Sequence, residues 1–107
     1  MTKINKELLK GACDLMILAA LEAEPLYGYE IAKRLKKTSR EVFALGEGTL
    51  YPILHKLEQQ GWLESFWQEV AGRKRKYYGL TTAGKTVLHS KTVEWQQFAK
   101  AMQAVIS

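Results

Sequence analysis

The side chains of this 107-residue sequence that can do chemistry fall in three short stretches. The first is Gly48-Thr49-Leu50-Tyr51-Pro52-Ile53-Leu54-His55-Lys56-Leu57-Glu58-Gln59-Gln60-Gly61, which gathers hydroxyls, an imidazole and an ammonium within about two helical turns. The second is Arg73-Lys74-Arg75-Lys76, a run of cations directly after Gly72. The third is the aromatic pair Trp95 and Phe98. Thr49 and Tyr51 can donate hydroxyls to phosphates, and His55 and Lys56 can reach base edges. For Tyr51, packing against a neighbouring helix stands as an equal alternative. The cation run suits a polyanion, because lysine and arginine bind DNA largely by displacing condensed counterions, which is blind to sequence. Arg73 also suits the negative potential of a minor groove. The competing reading is that the charges merely solubilise a turn.

Nucleophilic and metal chemistry lack their parts. His55 and His89 are the only histidines and Cys13 the only cysteine. No pair has metal-ligand spacing, and His55 with Glu58 is an isolated i, i+3 pair. No glycine-rich phosphate loop is present. The expectation is therefore no enzyme, no metal and no cofactor. Cys13 reads as a small buried apolar residue, with no cation placed beside it to lower its pKa. A single cysteine excludes an intrachain disulfide and fits a reducing compartment.

These stretches must be carried by particular elements. Leu50, Ile53, Leu54 and Leu57 form one apolar stripe at helical spacing, and Gly48, Pro52, His55 and Gln59 lie opposite it. Gly61 closes that helix, because glycine takes the left-handed C-terminal conformation without steric cost. Its start has two possibilities: Thr49 as N-cap, or Glu47 with a slight kink at Pro52. Before it, Leu26-Tyr27-Gly28-Tyr29-Glu30-Ile31-Ala32-Lys33-Arg34-Leu35 opens a helix whose inward pair is Ile31 and Leu35. Tyr27 and Tyr29 are expected to pack rather than touch DNA. Residues 38–46 form a connector pinned by Val42, Phe43 and Leu45. Two consecutive helices of this kind have the helix-turn-helix layout.

A first helix runs from an Asn5 cap to about Glu22, with Pro25 beyond it. After Gly61 the period changes to two. Trp62 to Val70 reads as a strand, Ala71-Gly72-Arg73 as a turn, and Arg75 to Leu80 as the returning strand. A basic hairpin directly behind a recognition-type helix is a wing. Tyr78 and Leu80 should point inward. Thr81 or Thr82 then caps a last helix bearing Leu88, Trp95, Ala99, Met102 and Ile106 along one side, a heptad-like seam. Paired with Leu8, Ala12 and Leu15 of the first helix, that seam is expected to build a homodimer. Trp95 would approach its symmetry mate, and the two indoles, with Phe98, would leave a slot for a small aromatic or cationic effector.

Composition agrees with one modest domain: 47% hydrophobic, 25% charged, net charge +5 and a pI near 9.4. A second basic cluster, Lys33 to Arg40, either touches flanking DNA backbone or is a solvated face. The longest apolar run, Leu15 to Leu21, is too short to span a bilayer, and the start does not read as a signal peptide. A cytoplasmic location is expected, with no membrane partner.

Tyr27-Gly28-Tyr29-Glu30-Ile31, the stretch from Gly48 to Trp62, and Gly72-Arg73-Lys74-Arg75-Lys76-Tyr77-Tyr78-Gly79-Leu80-Thr81-Thr82-Ala83-Gly84 together resemble the PadR-like winged-helix transcriptional regulators, in that family's order and spacing. The resemblance implies a mainly α (α+β) winged helix-turn-helix with a two-stranded wing and a C-terminal dimerisation helix. It divides the chain into a DNA-binding domain, 1–80, and a dimerisation helix, 81–107. It further implies a homodimeric repressor on an inverted-repeat operator of double-stranded DNA, similar to the short members of the family. Lys74 departs from the proline common at that place in the wing. The rival reading is a winged-helix module docking an acidic protein surface or RNA without operator specificity.

Overall fold

A computed structural model describes the backbone of residues 6–107 and, apart from positions 6–8 and 10, their side chains. The expected Asn5 cap lies outside the described residues, and the side chain of the Leu8 seam residue is likewise outside what is described. The element order is α1 (Lys6–Ala20), β1 (Leu26–Tyr27), α2 (Gly28–Thr38), α3 (Glu47–Gln59), β2 (Leu63–Val70), β3 (Arg73–Leu80) and α4 (Thr82–Ile106). No helix among the described residues is long and apolar enough to cross a membrane.

The core is where the apolar stripes of four helices and one sheet face meet. Ile17 and Leu18 of α1, Ile31 of α2, Leu50, Leu54 and Leu57 of α3, Leu63 of β2 and Tyr78 of β3 are all fully buried. The α3 stripe read from the sequence faces inward as expected, with Ile53 half-buried at its edge. Among the described residues no buried side-chain polar atom lacks a hydrogen-bond partner.

Leu26 and Tyr27 differ from expectation. They form a short strand rather than the opening of α2, pairing with Tyr78 and Tyr77 and giving the sheet the antiparallel order β1-β3-β2. Two residues cannot show a period of two, and their partners lie about fifty residues away, so no local signal marks them. The same pairing delays the start of α2 to Gly28. Likewise α3 starts at Glu47 with Gly46 as its N-cap, so Thr49 is inside the helix. Pro52 then falls in the second turn, where it withholds one bond from the exposed Gly48.

Gly61 (φ +80°) ends α3 as expected, with the Trp62 N–H reaching back to the Leu57 carbonyl. The wing turns on Ala71 and Gly72 alone. Both have positive φ, the backbone of a tight two-residue hairpin. Registry follows directly, from Val70 opposite Arg73 to Leu63 opposite Leu80.

Thr81 makes the joint between wing, α3 and α4. Its hydroxyl accepts from the Gly84 N–H at 3.0 Å, capping α4, and donates to the Gly61 carbonyl at 2.6 Å. Gly84 lies so close to the Trp62 carbonyl that a Cβ there would collide with backbone. Leu88 is buried in the same packing. Leu88, expected on a dimer seam, thus sits with the first turns of α4 in the protomer's own core. From Val93 onward every residue of α4 is exposed.

Candidate nucleic-acid interface

Burial of Leu50, Leu54 and Leu57 decides which residues of α3 are presented outward. Gly48, Pro52, His55 and Gln59 occupy the opposite side and are all exposed. His55 is thus placed on the outward face, with Gln59 beside it. Thr49 is exposed on one flank. Tyr51, on the other flank, lays its hydroxyl against the start of α2, and a Cβ on Gly28 would land on that ring. Tyr51 therefore packs between α2 and α3 while remaining 37% exposed.

Lys56 is turned elsewhere. Its ammonium closes on both carboxylate oxygens of Asp14 in α1, at 2.8 and 2.9 Å. Asp14 carried no sequence signal, since an acidic residue in an apolar helix does not announce its partner.

In the wing, the strand pleat sorts the four cations onto two faces. Arg75 stands over the Tyr27 ring, 4.4 Å from its centroid, and donates to the Tyr27 hydroxyl. Lys76, on the opposite face, lies over Tyr78 and 3.9 Å from the Glu58 carboxylate of α3. Glu58 also accepts from the Ser65 hydroxyl at 2.5 Å, so it ties α3 to both wing strands. Arg73 and Lys74, next to the tip, are exposed, and their side chains make no hydrogen bond or ion pair to protein among the described residues. Tyr27, expected only to pack, instead holds a wing cation, and its ring meets Tyr77 edge-on, which in turn stacks on Phe66.

An exposed helix face joined through Glu58 to a wing with solvent-facing cations at its tip is the layout of a winged helix-turn-helix. The sequence profile of the transcriptional regulator PadR-like family matches residues 17–90, well over half the chain. The chain belongs to the PadR-like family. Rv3488, a transcriptional regulator of Mycobacterium tuberculosis, is 36% identical to it over 83 residues, 78% of this chain and 75% of that protein. The negative transcriptional regulator PadR of Bacillus subtilis is 29% identical over 89 residues; the match takes in 81% of this chain and 48% of that regulator. The crystal structure of a PadR family transcription regulator from Clostridium difficile superposes with a TM-score of 0.80 at 37% identity, covering 91% of this chain and all of that one. Four helices with a small antiparallel sheet are thus a winged helix-turn-helix, and this PadR-like chain is a transcriptional regulator, not an enzyme.

Away from the wing, α1 and α4, with Lys56 of α3, line a groove of about 490 Å³. Leu15, Trp95 and Phe98 line its apolar part, and Asp14, Glu94, Lys56 and Lys91 its charged part. The Trp95 and Phe98 rings lie 5.7 Å apart, and both are about half exposed. Ala12 and Leu15 of the expected seam are half-buried, while Ala99, Met102 and Ile106 are exposed. Cys13 is buried among core residues as expected. One detail is corrected: a cation, Lys56, does stand near it. Burial nevertheless dominates and pushes the Cys13 thiol up, with the Asp14 charge adding to the rise and Lys56 opposing it.

Proposed function

We propose that the chain is a homodimeric, sequence-specific repressor of the cytoplasm that binds an inverted-repeat operator in double-stranded DNA. The observation carrying this reading is the exposed face of α3, with His55 at its centre, joined through Glu58 to a wing whose tip cations, Arg73 and Lys74, face solvent. Residues 1–80 act as the reading head. His55 addresses base edges, Thr49 and Tyr51 donate to phosphates near the start of α3, and the wing holds backbone or minor groove. Repression is supported by kinship with a negative regulator.

Residues 81–107 carry the dimer. Beyond Leu88, the helix exposes Trp95, Phe98, Met102, Val105 and Ile106, a large apolar surface for a soluble helix. A second copy of the same helix covers it, since a two-fold interface pairs a surface with itself. The two α3 helices then enter successive major grooves, about 34–36 Å apart. Trp95 and Phe98 at the mouth of the α1–α4 groove accept a small aromatic or cationic effector, which releases DNA by binding better to a dimer whose heads are wrongly spaced.

The test is binding to the DNA upstream of the protein's own gene and to a scrambled duplex of equal length, at two salt concentrations. An operator binder loses affinity steeply with salt yet keeps a preference of about 10³ or more for its site. Equal, salt-sensitive binding to both duplexes removes operator specificity from that fragment. A module that docks an acidic protein or RNA shows no duplex preference, and absence of duplex binding at low salt would establish that alternative over this one.

A further inference from the structure

The outward face of α3 centres on Gly48, Pro52, His55 and Gln59, and Lys56 stands about 60° around the helix from Gln59, on the flank shared with Ile53. That flank faces α1. Lys56 accordingly spans to Asp14 with a two-oxygen ion pair at 2.8 and 2.9 Å, linking the recognition helix to the first helix. The side chains are 50% and 24% exposed, so solvent and ions reach the pair and screen it.

The same two residues line the α1–α4 groove beside Trp95 and Phe98. Glu94 brings a second carboxylate to that wall, while Lys91 points its ammonium at the Trp62 ring, 5.6 Å from the centroid. Exposed aromatic faces next to carboxylates favour an organic cation over a neutral or anionic ring system.

We propose that Asp14 and Lys56 are a positioning pair holding the recognition helix against α1, and that an aromatic cation in the groove takes Asp14 from Lys56 and so lowers operator affinity. This rests on the reading of the groove as an effector site and adds how occupancy reaches DNA. Charge is the transmitted property. A neutral aromatic fills the groove without disturbing the pair, because it offers nothing to the carboxylate. Lys56 acts on DNA through the placement of α3, not by touching phosphate.

The experiment uses the full chain, a duplex that it selects from random DNA, tetraphenylphosphonium as the cation and triphenylphosphine oxide as its neutral counterpart. Calorimetry reads occupancy, and titration over several salt concentrations reads operator affinity. The cation binds and weakens operator binding; the oxide binds and leaves it unchanged. Asp14→Asn binds the operator about two- to fivefold more weakly without ligand, with its salt slope intact, and no longer responds to the cation. Lys56→Met behaves alike. The exchange of Asp14→Lys with Lys56→Asp restores operator affinity, because the reversed pair still joins α3 to α1. A salt slope lowered by about one in Lys56→Met would place Lys56 on a phosphate and overturn the proposal. So would a full response in Asp14→Asn. If neither compound binds, the effector-site reading falls and takes the coupling with it; if the cation binds without altering DNA affinity, the coupling alone falls.

Discussion

The Arg75 guanidinium lies over the Tyr27 ring, 4.4 Å from its centroid, and donates to the hydroxyl of the same residue. This contact joins the wing to the segment leading into α2, across forty-eight positions of chain. With Lys76 drawn toward Glu58 on the other face, the base of the wing is braced from both sides. Four like charges in a row therefore do two jobs: two cations brace the hairpin and two are presented at its tip.

That division predicts unequal salt dependence. Lys74→Ala should weaken binding to all duplexes similarly and flatten the salt slope by about one unit. Arg75→Ala should flatten it by clearly less while loosening the wing, seen as faster amide exchange in β2 and β3. Equal slope changes in the two variants would show that Arg75 leaves Tyr27 for DNA.

His55 is exposed on the outward face of α3, so His55→Ala should leave the urea midpoint unchanged and erode sequence preference. Loss of one base contact is worth about 1–3 kcal/mol of discrimination at the position it reads. Binding profiles over a randomised operator check it. An unaltered profile would mean that α3 is presented in another orientation.

Leu88 and Met102 share the same helix but belong to different surfaces. Leu88→Ala should destabilise the protomer by about 2–5 kcal/mol, because it opens a cavity in the core. Met102 is 43% exposed, so Met102→Glu should leave the protomer folded and shift sedimentation toward the monomer. A dimer unaffected by Met102→Glu would place the interface on another face.

Burial pushes up both the Cys13 thiol and the Tyr78 phenol, with the nearby Asp14 and Glu58 carboxylates adding to the rise. The unfolded chain then loses these protons at lower pH than the native protein does. Stability is full below the ordinary thiol range, about pH 8.5, and declines as pH rises through it and through the phenol range toward the raised native values. Urea midpoints at roughly pH 7.5, 9 and 10.5 should fall in that order, and Cys13→Ala should remove the earlier part of the decline. A flat midpoint across this span would contradict the burial of both groups.

Much of this molecule was legible in local pattern. A stripe of Leu50, Leu54 and Leu57 specifies a helix and its outward face, because helical period is a property of neighbouring residues. Gly61 marks a helix end and Gly72 a turn for the same local reason, the positive φ that glycine adopts freely, although the turn read as Ala71-Gly72-Arg73 uses only its first two residues. What tertiary structure decided is which partner each polar group meets. Lys56 was as available to DNA as to Asp14, Arg75 as available to solvent as to Tyr27, and Leu88 as available to a second copy as to its own core. Those outcomes depend on how closely distant segments approach, and the two-residue strand Leu26–Tyr27 exists only because Tyr77 and Tyr78 lie alongside it. Periodicity chose the elements; long-range packing chose the contacts, since a side chain's partner is set by distance in space and not along the chain.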